Sequence, residues 1–462
     1  MSGIFGIINT AVSALLAHRS ALNVRSHNLA NVDTPGYSRQ EALLGTNPPQ
    51  PPAGSADALL GGQFGTGVRV LTVQRARESF LGVQSRICQA ALGRWQSAAS
   101  SLRQVESVLA PAPGEDLSAL LDRFWDAWET LANRPEDIGL RNVLVTTAST
   151  VANTFRDYTQ RLQSTRQTVD LGIRTRVDEV NNIIAQITQF NRQIGVALAE
   201  GRSPNDIYDS RDLLLDRLSE LVGAMPVNSD SAHIIVYLDG RPVIQGAVAY
   251  PLSVTATEDG VEIYSGFDDA AVHIANGEIG GLLEARDVAI PAYLDELDTI
   301  ASTLVAEVNN LHQTGFGLDG ITGRDFFLAG GTAADIALDP AILADVRAIA
   351  AAAVDAPGDG SLALQIANLR TTPVVGGRTL NELAHALLGL VGNDIAACEN
   401  GAEAQQFALE QIRRQQQSIS GVSIDEELAY LSLSQRGYEA AARVVTAADQ
   451  MLGVIIERMG VS

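Results

Sequence analysis

About forty residues at one end of the chain repeat on a seven-residue period that leaves few folds open. Ile424, Leu428, Leu431, Gln435, Tyr438, Ala442, Val445, Asp449, Leu452, Ile456 and Met459 step by four and three without a slip. Sustained over five heptads, this spacing lays one apolar seam along a helix and predicts a coiled coil. Ser423 and Glu426 stand at capping-box spacing at its start, and Gly460 ends it. Gln435 and Asp449 lower the stability of the seam and set its register. The other end of the chain carries a second seam. Ile8, Leu15, Leu22 and Leu29 are each seven apart, Phe5, Ala11 and Val12 widen the stripe, and His18, Arg25 and Asn28 interrupt its flank. That helix must stop near Asn31, because Thr34 precedes Pro35 and is pushed out of α space. Pro35-Gly36 suits the central positions of a type II turn. About 28 residues of helix span roughly 42 Å. Two such seams need partners. The simplest partner is each other, followed by copies of the chain in an assembly.

Between the seams the pattern changes several times. Residues 37–75 read as extended, with Asn47-Pro-Pro-Gln-Pro-Pro52 a stiff polyproline-like spacer. Gly61, Gly62, Gly65 and Gly67 precede the strand-like Val68–Val73; no Gly-Lys-Ser/Thr follows, so they form a tight turn and not a phosphate loop. Helical patterning runs from Arg77 to Ala110, stopped by Pro111-Ala-Pro113-Gly114, and again over Asp116–Asn133. Residues 137–200 contain no proline, and Val177, Val180, Ile184, Ile187, Ile194 and Leu198 recur by threes and fours, which predicts one very long helix. A shorter helix follows at Asp209–Val222. Near Pro226 the period becomes two: His233–Leu238, Asp239-Gly240 and Pro242–Gln245 predict a hairpin, with further strands at Ile263-Tyr264 and Val272–Ile274. Helix returns over Gly281–Gln313 and from Thr379 onward, while residues 321–380 are mixed.

The fold class is therefore mainly α with a smaller β portion: paired terminal coiled-coil helices, a long-helix bundle in the middle and a β-rich insert. The division expected is residues 1–44 with 421–462 for the terminal pair, and 45–222, 281–320 and 381–420 for the helical middle domain. Residues 223–280 form a β-rich subdomain, and 321–380 a reduced outer segment. With 46% apolar residues the chain has enough to core two or three domains.

Charge and chemistry exclude several functions. The 32 basic residues are all arginine, against 54 acids, for a net charge of −22. Such a chain repels phosphate backbones, so no nucleic-acid partner is expected. The first 110 residues hold 9 Arg and 5 acids, and residues 403–462 hold 5 Arg and 8 acids, so the ends are weakly complementary and the middle is a solvated acidic exterior. No run of 18 apolar residues exists to span a membrane. The apolar start has no positive n-region, its first charge being Arg19, and reads as mature protein and not a cleaved signal. Cys88 and Cys398 have no metal-ligand or disulfide spacing and read as unlinked thiols. His18, His27, His233, His273, His312 and His385 make no metal motif, and Gly-x-Ser-x-Gly is absent. Acid runs such as Asp425-Glu426-Glu427 suit helix N-termini. No catalytic, cofactor or metal residue is assigned.

Asn28-Leu-Ala-Asn-Val-Asp-Thr-Pro-Gly-Tyr-Ser-Arg-Gln40 resembles the N-terminal motif shared by flagellar rod, hook and hook-associated proteins. Its Tyr37-Ser-Arg-Gln40 ending resembles the hook-associated protein 1 family in particular. Ser420-Gly-Val-Ser-Ile-Asp-Glu-Glu427 and Ala440-Ala-Ala-Arg-Val-Val-Thr-Ala-Ala-Asp-Gln-Met-Leu452 are similar to that family's C-terminal helix. Gly65-Thr-Gly-Val68, Gly280-Gly-Leu-Leu-Glu-Ala-Arg-Asp287 and Arg324-Asp-Phe-Phe327 agree with it internally. Many members are longer and add an outer domain, for which only residues 321–380 are available here.

The resemblance implies a non-catalytic axial subunit at the hook–filament junction of the bacterial flagellum, outside the cell, exported by the type III route without a cleaved signal. It implies self-association in a ring, with the hook protein, a second hook-associated junction protein and a dedicated export chaperone as partners. The expected assembly interface is Ile8, Leu15, Leu22, Asn28, Leu29, Asn31, Pro35, Gly36 and Tyr37 with Leu428, Leu431, Tyr438, Val445, Leu452 and Ile456. Another axial subunit of the hook or rod is the alternative, to be favoured if strand predominates. A secreted coiled-coil adhesin or enzyme is a third reading, to be favoured by a cleaved N-terminus.

Overall fold

The computed structural model describes residues 2–49, 65–110, 114–227, 233–257 and 260–459. The chain is mainly helical. Helix α1 spans Ser2–Ala30, and strands β1 (Gln40–Thr46) and β2 (Val68–Arg75) pair antiparallel as a hairpin. Then come α2 (Ser79–Leu109), α3 (Leu117–Asn133), α4 (Ile138–Ala199) and α5 (Asn205–Val222). A four-stranded sheet follows in chain order: β3 (Met225–Val227), β4 (Ile235–Leu238), β5 (Arg241–Gln245) and β6 (Val248–Ala249). A separate pair is made by β7 (Leu252–Thr257) and β8 (Gly260–Ser265). Helices α6 (Gly277–Glu284) and α7 (Ile290–His312) are joined by a π turn over Ala285–Ala289. Short α8 (Pro340–Ala344) and α9 (Ser361–Ala367) precede the long α10 (Leu380–Ser420) and α11 (Ile424–Met459). The spacer beyond Pro49, Gly61, Gly62, Pro111–Pro113 and Gly460 lie outside the described residues.

Two hydrophobic cores organise the middle, and α4 belongs to both. At 62 residues it is about 93 Å long. Its first half, through Leu144, Val151, Phe155 and Leu162, packs with α2, α3, α7, α9 and α10 around Phe124, Trp128, Phe326 and Phe327. Its second half, through Ile173, Val180, Ile184 and Ile187, packs with α5, α6 and both small sheets. Arg141 is buried near the start of α4 and donates to the carbonyl oxygens of Pro135, Val346 and Ile349 at 2.8, 3.2 and 2.7 Å. It thereby ties the irregular segment after α8 to the helix; burial pushes its pKa down to about 10, still fully charged at neutral pH.

Local chemistry explains the boundaries. The Asp116 and Asp137 carboxylates cap α3 and α4, accepting from Ala119 N–H at 2.9 Å and Gly139 N–H at 2.8 Å. A complete capping box starts α10: Glu382 N–H meets the Thr379 hydroxyl while the Glu382 carboxylate takes Thr379 N–H. At the proposed box of α11, Glu426 N–H reaches the Ser423 hydroxyl at 3.5 Å. Asp239 and Gly240, at φ 49° and 72°, make the left-handed pair that joins β4 and β5. Pro291 has no N–H and its ring would strike the Asp287 carbonyl one turn back; the wider π turn before it relieves that clash.

The structure also departs from the sequence reading. Helix α5 begins at Asn205, not Asp209, and α6 at Gly277, not Gly281. Val272–Ile274 is not a strand: one bond, Val272 N–H to Ile263 O at 2.8 Å, follows the isolated bridge at Ala271 before the chain turns into α6.

Candidate assembly interface

Helices α1 and α11 pack side by side and antiparallel. Arg25 lies opposite Glu427 at 3.0 Å, and the His18 ring lies against Gly437, where an added Cβ would come within 2.5 Å of it. The fully buried apolar residues of the pair are small: Ala11 and Ala17 on α1, Ala441 and Ala448 on α11. Close approach of the two backbones excludes larger ones. Glu427 is 1% exposed; Arg25 neutralises it and also lies 4.6 Å above the Tyr430 ring. The hairpin rests on α1, with Val68 N–H donating to the Ser13 hydroxyl at 3.2 Å.

The segment after α1 is a set of hydrogen bonds, each needing its residue type. Asn28 is fully buried. Its amide N–H donates to Gln40 O and its amide oxygen accepts Gln40 N–H, both at 2.9 Å, as a neighbouring strand would. The same oxygen accepts the Tyr37 hydroxyl at 2.7 Å. Burial, then Asp206, Asp209 and Glu427, push that hydroxyl's pKa up, so it remains a donor. Asn31 returns its amide to the His27 carbonyl at the frayed end of α1, at 3.0 Å. Tyr37 N–H closes on Thr34 O at 3.2 Å and Gly36 has φ 77°, so Pro35 and Gly36 occupy the centre of a type II turn. A side chain at Gly36 would also collide with Leu213, 2.5 Å from the ideal Cβ.

The N-terminal half of α5 receives this segment. Asp206, Asp209, Asp212 and Asp216 are spaced three, three and four apart, which puts them on one helix face. Gln40 Nε2 donates to Asp206 at 2.7 Å and Ser38 N–H to Asp209 at 3.0 Å. Arg75 Nη1 bridges Asp209 at 3.0 Å and Asp212 at 2.8 Å. Arg77 meets Asp212 at 2.5 Å, and Arg86 meets Asp216 at 2.7 Å. Asn205 holds the Gln40 side chain and the Val73 carbonyl. Burial pushes the Asp209 carboxyl up, opposed by Ser38 N–H and Arg75; burial also raises Asp216, opposed by Arg86 and Arg77 and reinforced by Asp212. On the opposite side Arg39 N–H donates to Ser420 O at 3.0 Å, a carbonyl the end of α10 leaves free, and Arg39 Nη1 reaches Glu426 at 3.1 Å.

The expected interface residues divide into two groups. Ile8, Leu15, Leu22, Leu29, Asn31, Tyr37, Leu431, Val445 and Leu452 are half-buried, and Asn28 is buried. Pro35, Gly36, Leu428, Tyr438 and Ile456 are exposed, Ile456 at 67%. The face of α11 turned to α1 runs through Leu431, Ser434, Ala441, Val445, Ala448 and Leu452. It shares the Leu431–Val445–Leu452 column with the seam read from sequence, but its second column is the small one. Leu428, Leu433, Met451, Val454 and Ile456 face away, as do Phe5, Ile7, Val12 and Leu16 on α1. Sequence reasoning missed the α5 aspartates and their arginines; the three-and-four spacing of the acids was the available signal. Cys88 and Cys398 are both free thiols. Among the described residues no helix is long and apolar enough to cross a membrane.

Comparison with known proteins gives three family matches and a consistent set of relatives. Residues 102–327 match the flagellar hook-associated protein FlgK helical domain. Residues 415–458 match the flagellar basal body rod FlgEFG protein C-terminal family, and residues 8–37 the flagella basal body rod protein family. Flagellar hook-associated protein 1 of Bacillus subtilis is 29% identical, over 100% of this chain and 99% of that one. Its counterpart in Salmonella typhimurium is 26% identical, over 97% and 99%. The flagellar hook junction protein FlgK of Burkholderia pseudomallei has a similar fold, with a TM-score of 0.66 over 73% of this chain and 100% of that one, at 16% identity.

Proposed function

We propose that the chain is a flagellar hook-associated protein, a structural axial subunit joining hook to filament in the bacterial flagellum; the match to the FlgK helical domain and the similarity to hook-associated protein 1 of two bacteria along almost their whole length support this reading. The observation that carries the assembly mechanism is the terminal helix pair. Its most deeply buried apolar residues are alanines, and large apolar side chains on the outer faces of both helices remain uncovered. A helix pair that exposes Phe5, Leu16, Leu428, Leu433, Met451 and Ile456 gains most of its apolar burial only when further helices cover it. We assign those helices to neighbouring copies of the chain in a ring. The hook protein, a second hook-associated junction protein and a dedicated export chaperone are proposed as further partners on the family resemblance.

In this reading residues 1–44 and 421–462, with β2 added by the hairpin, form the inner axial layer. The rest of residues 45–222, with 281–320 and 381–420, forms the helical middle domain, residues 223–280 form the β subdomain, and 321–380 is no separate outer segment, since it adds Phe326, Phe327 and α9 to the core of the middle domain. The role is architectural and not catalytic. The protein works outside the cell, reached by the flagellar export route without cleavage. The preponderance of helix supports a hook-associated subunit over a hook subunit. Labelling the protein in intact flagella tests the position: signal confined to the boundary of hook and filament is expected, and signal along the hook would overturn it. N-terminal sequencing of the extracellular protein tests the route, which a cleaved terminus would exclude.

A further inference from the structure

Neither large hydrophobic core includes a described residue of α1, β1, β2 or α11. The terminal unit therefore shares no apolar core with the helical body. Two chain segments, residues 76–78 and 421–423, connect the two. Among the described residues the hydrogen bonds and ion pairs across the junction centre on α5, where His27, Ser38, Gln40 and Arg75 meet Asn205, Asp206, Asp209 and Asp212, with Arg39 N–H on Ser420 O at the end of α10; Arg75 also lies over the Tyr208 ring, and Leu213 lies against Gly36. Beside them a cleft of about 400 Å³ is lined by the turn around Pro35, residues 420–422, Leu81, Leu213 and Asp216.

The two kinds of contact hold geometry differently. Apolar packing is non-directional and sums over area. A buried, hydrogen-bonded ion pair adds little net stability, because desolvation offsets attraction, but it admits few geometries. Arg75 and Asp212 are 8% and 5% exposed, so this joint is of the second kind. We propose that Arg75, Asp209, Asp212 and the Ser38 N–H form a clasp that fixes the angle between the terminal helix pair and the helical body. The adjacent cleft is the space into which the pair turns when the clasp is open. Each side keeps its fold, because neither borrows apolar burial from the other.

The test uses the free full-length chain, so its result does not depend on the flagellar reading. Spin labels at Ser432→Cys on α11 and Gln163→Cys on α4, in a Cys88→Ala, Cys398→Ala background, report the distance across the joint. One narrow distribution is expected for the parent chain. Asp209→Asn with Asp212→Asn, and separately Arg75→Gln, should each broaden it at least twofold, with far-ultraviolet circular dichroism and the main melting transition retained. Removing an exposed pair inside the body, Arg103→Gln with Glu399→Gln, should leave it narrow. Unchanged distributions in both clasp variants would overturn the proposal. So would loss of body helicity in them, since that would show a shared cooperative core.

Discussion

Asn28 shows what a single side chain contributes to the joint. Truncation at Asn28→Ala leaves a buried N–H and a buried C=O of Gln40 without their partners, at about 2 kcal/mol or more. Hydrogen exchange at the Gln40 amide should quicken by about thirty-fold, while α4 amides keep their rates; an unchanged Gln40 rate would show that Asn28 does not hold the Gln40 backbone. His312 gives a pH dependence with a definite sign. It is fully buried, accepts Ala350 N–H at Nε2 at 2.8 Å, and so carries its proton on Nδ1 toward Arg324 O, also at 2.8 Å. Burial pushes its pKa down to about 4. The unfolded chain therefore binds the proton more tightly, and stability falls as pH drops from 6.5 toward 4, by about 3 kcal/mol in all. Melting curves across that window should show the slope in the parent and a shallower one in His312→Gln. Parallel slopes would refute it. Neither role was legible beforehand. Asn28 reads as a polar interruption of a seam and His312 as a lone histidine, because the groups that occupy them, Gln40, Arg324 and Ala350, are fixed only by the fold.

At the scale of elements, the long helices were legible because their signals are local: period, capping acids and flanking prolines. The ends of α5 and α6 were not, since Asn205 and Gly277 start helices through contacts with distant segments. The α11 seam was half legible. Heptad spacing located the Leu431–Val445–Leu452 column, but the sequence holds both a large and a small second column, and only the antiparallel partner α1 selects the small one. The large column gives a prediction. Leu428 is 47% exposed, so Leu428→Asp should leave the monomer's helicity and melting unchanged. In an assembled layer the same carboxylate would be desolvated without a partner, at several kcal/mol. Cells carrying it should build hooks and release filament protein into the medium, and normal filaments would count against an assembly role for that column. The α5 aspartates belong here too. Their spacing marks a helix face, and a solvated face is the ordinary reading of acids; Arg75 and Arg77, more than 120 residues earlier, turn it inward.

For the whole molecule, the distribution of apolar burial predicts the order of unfolding. Isolated helices draw most of their stability from packing, and among the described residues α1 and α11 pack on each other and on the β1–β2 hairpin, outside both large cores. Limited proteolysis of the monomer should trim residues 1–35 and 425–462 first and leave a resistant fragment of roughly 75–400, bounded by the two cores. Assembly should protect those same ends; equal resistance in both states would separate their folding from assembly. The class of fold and the pairing of the ends were readable from period alone. The separation of the cores was not, because it depends on which residues fail to meet.

Helix α4 has a mechanical consequence. It passes through both cores as an unbroken ladder of hydrogen bonds, so a load applied to one end of the body travels along a single rod. To bend the body, either core would have to shear against that rod, and interlocked side chains resist shear. The body then acts as a stiff strut, and elastic compliance concentrates where the strut ends, at the charged joint under the terminal pair.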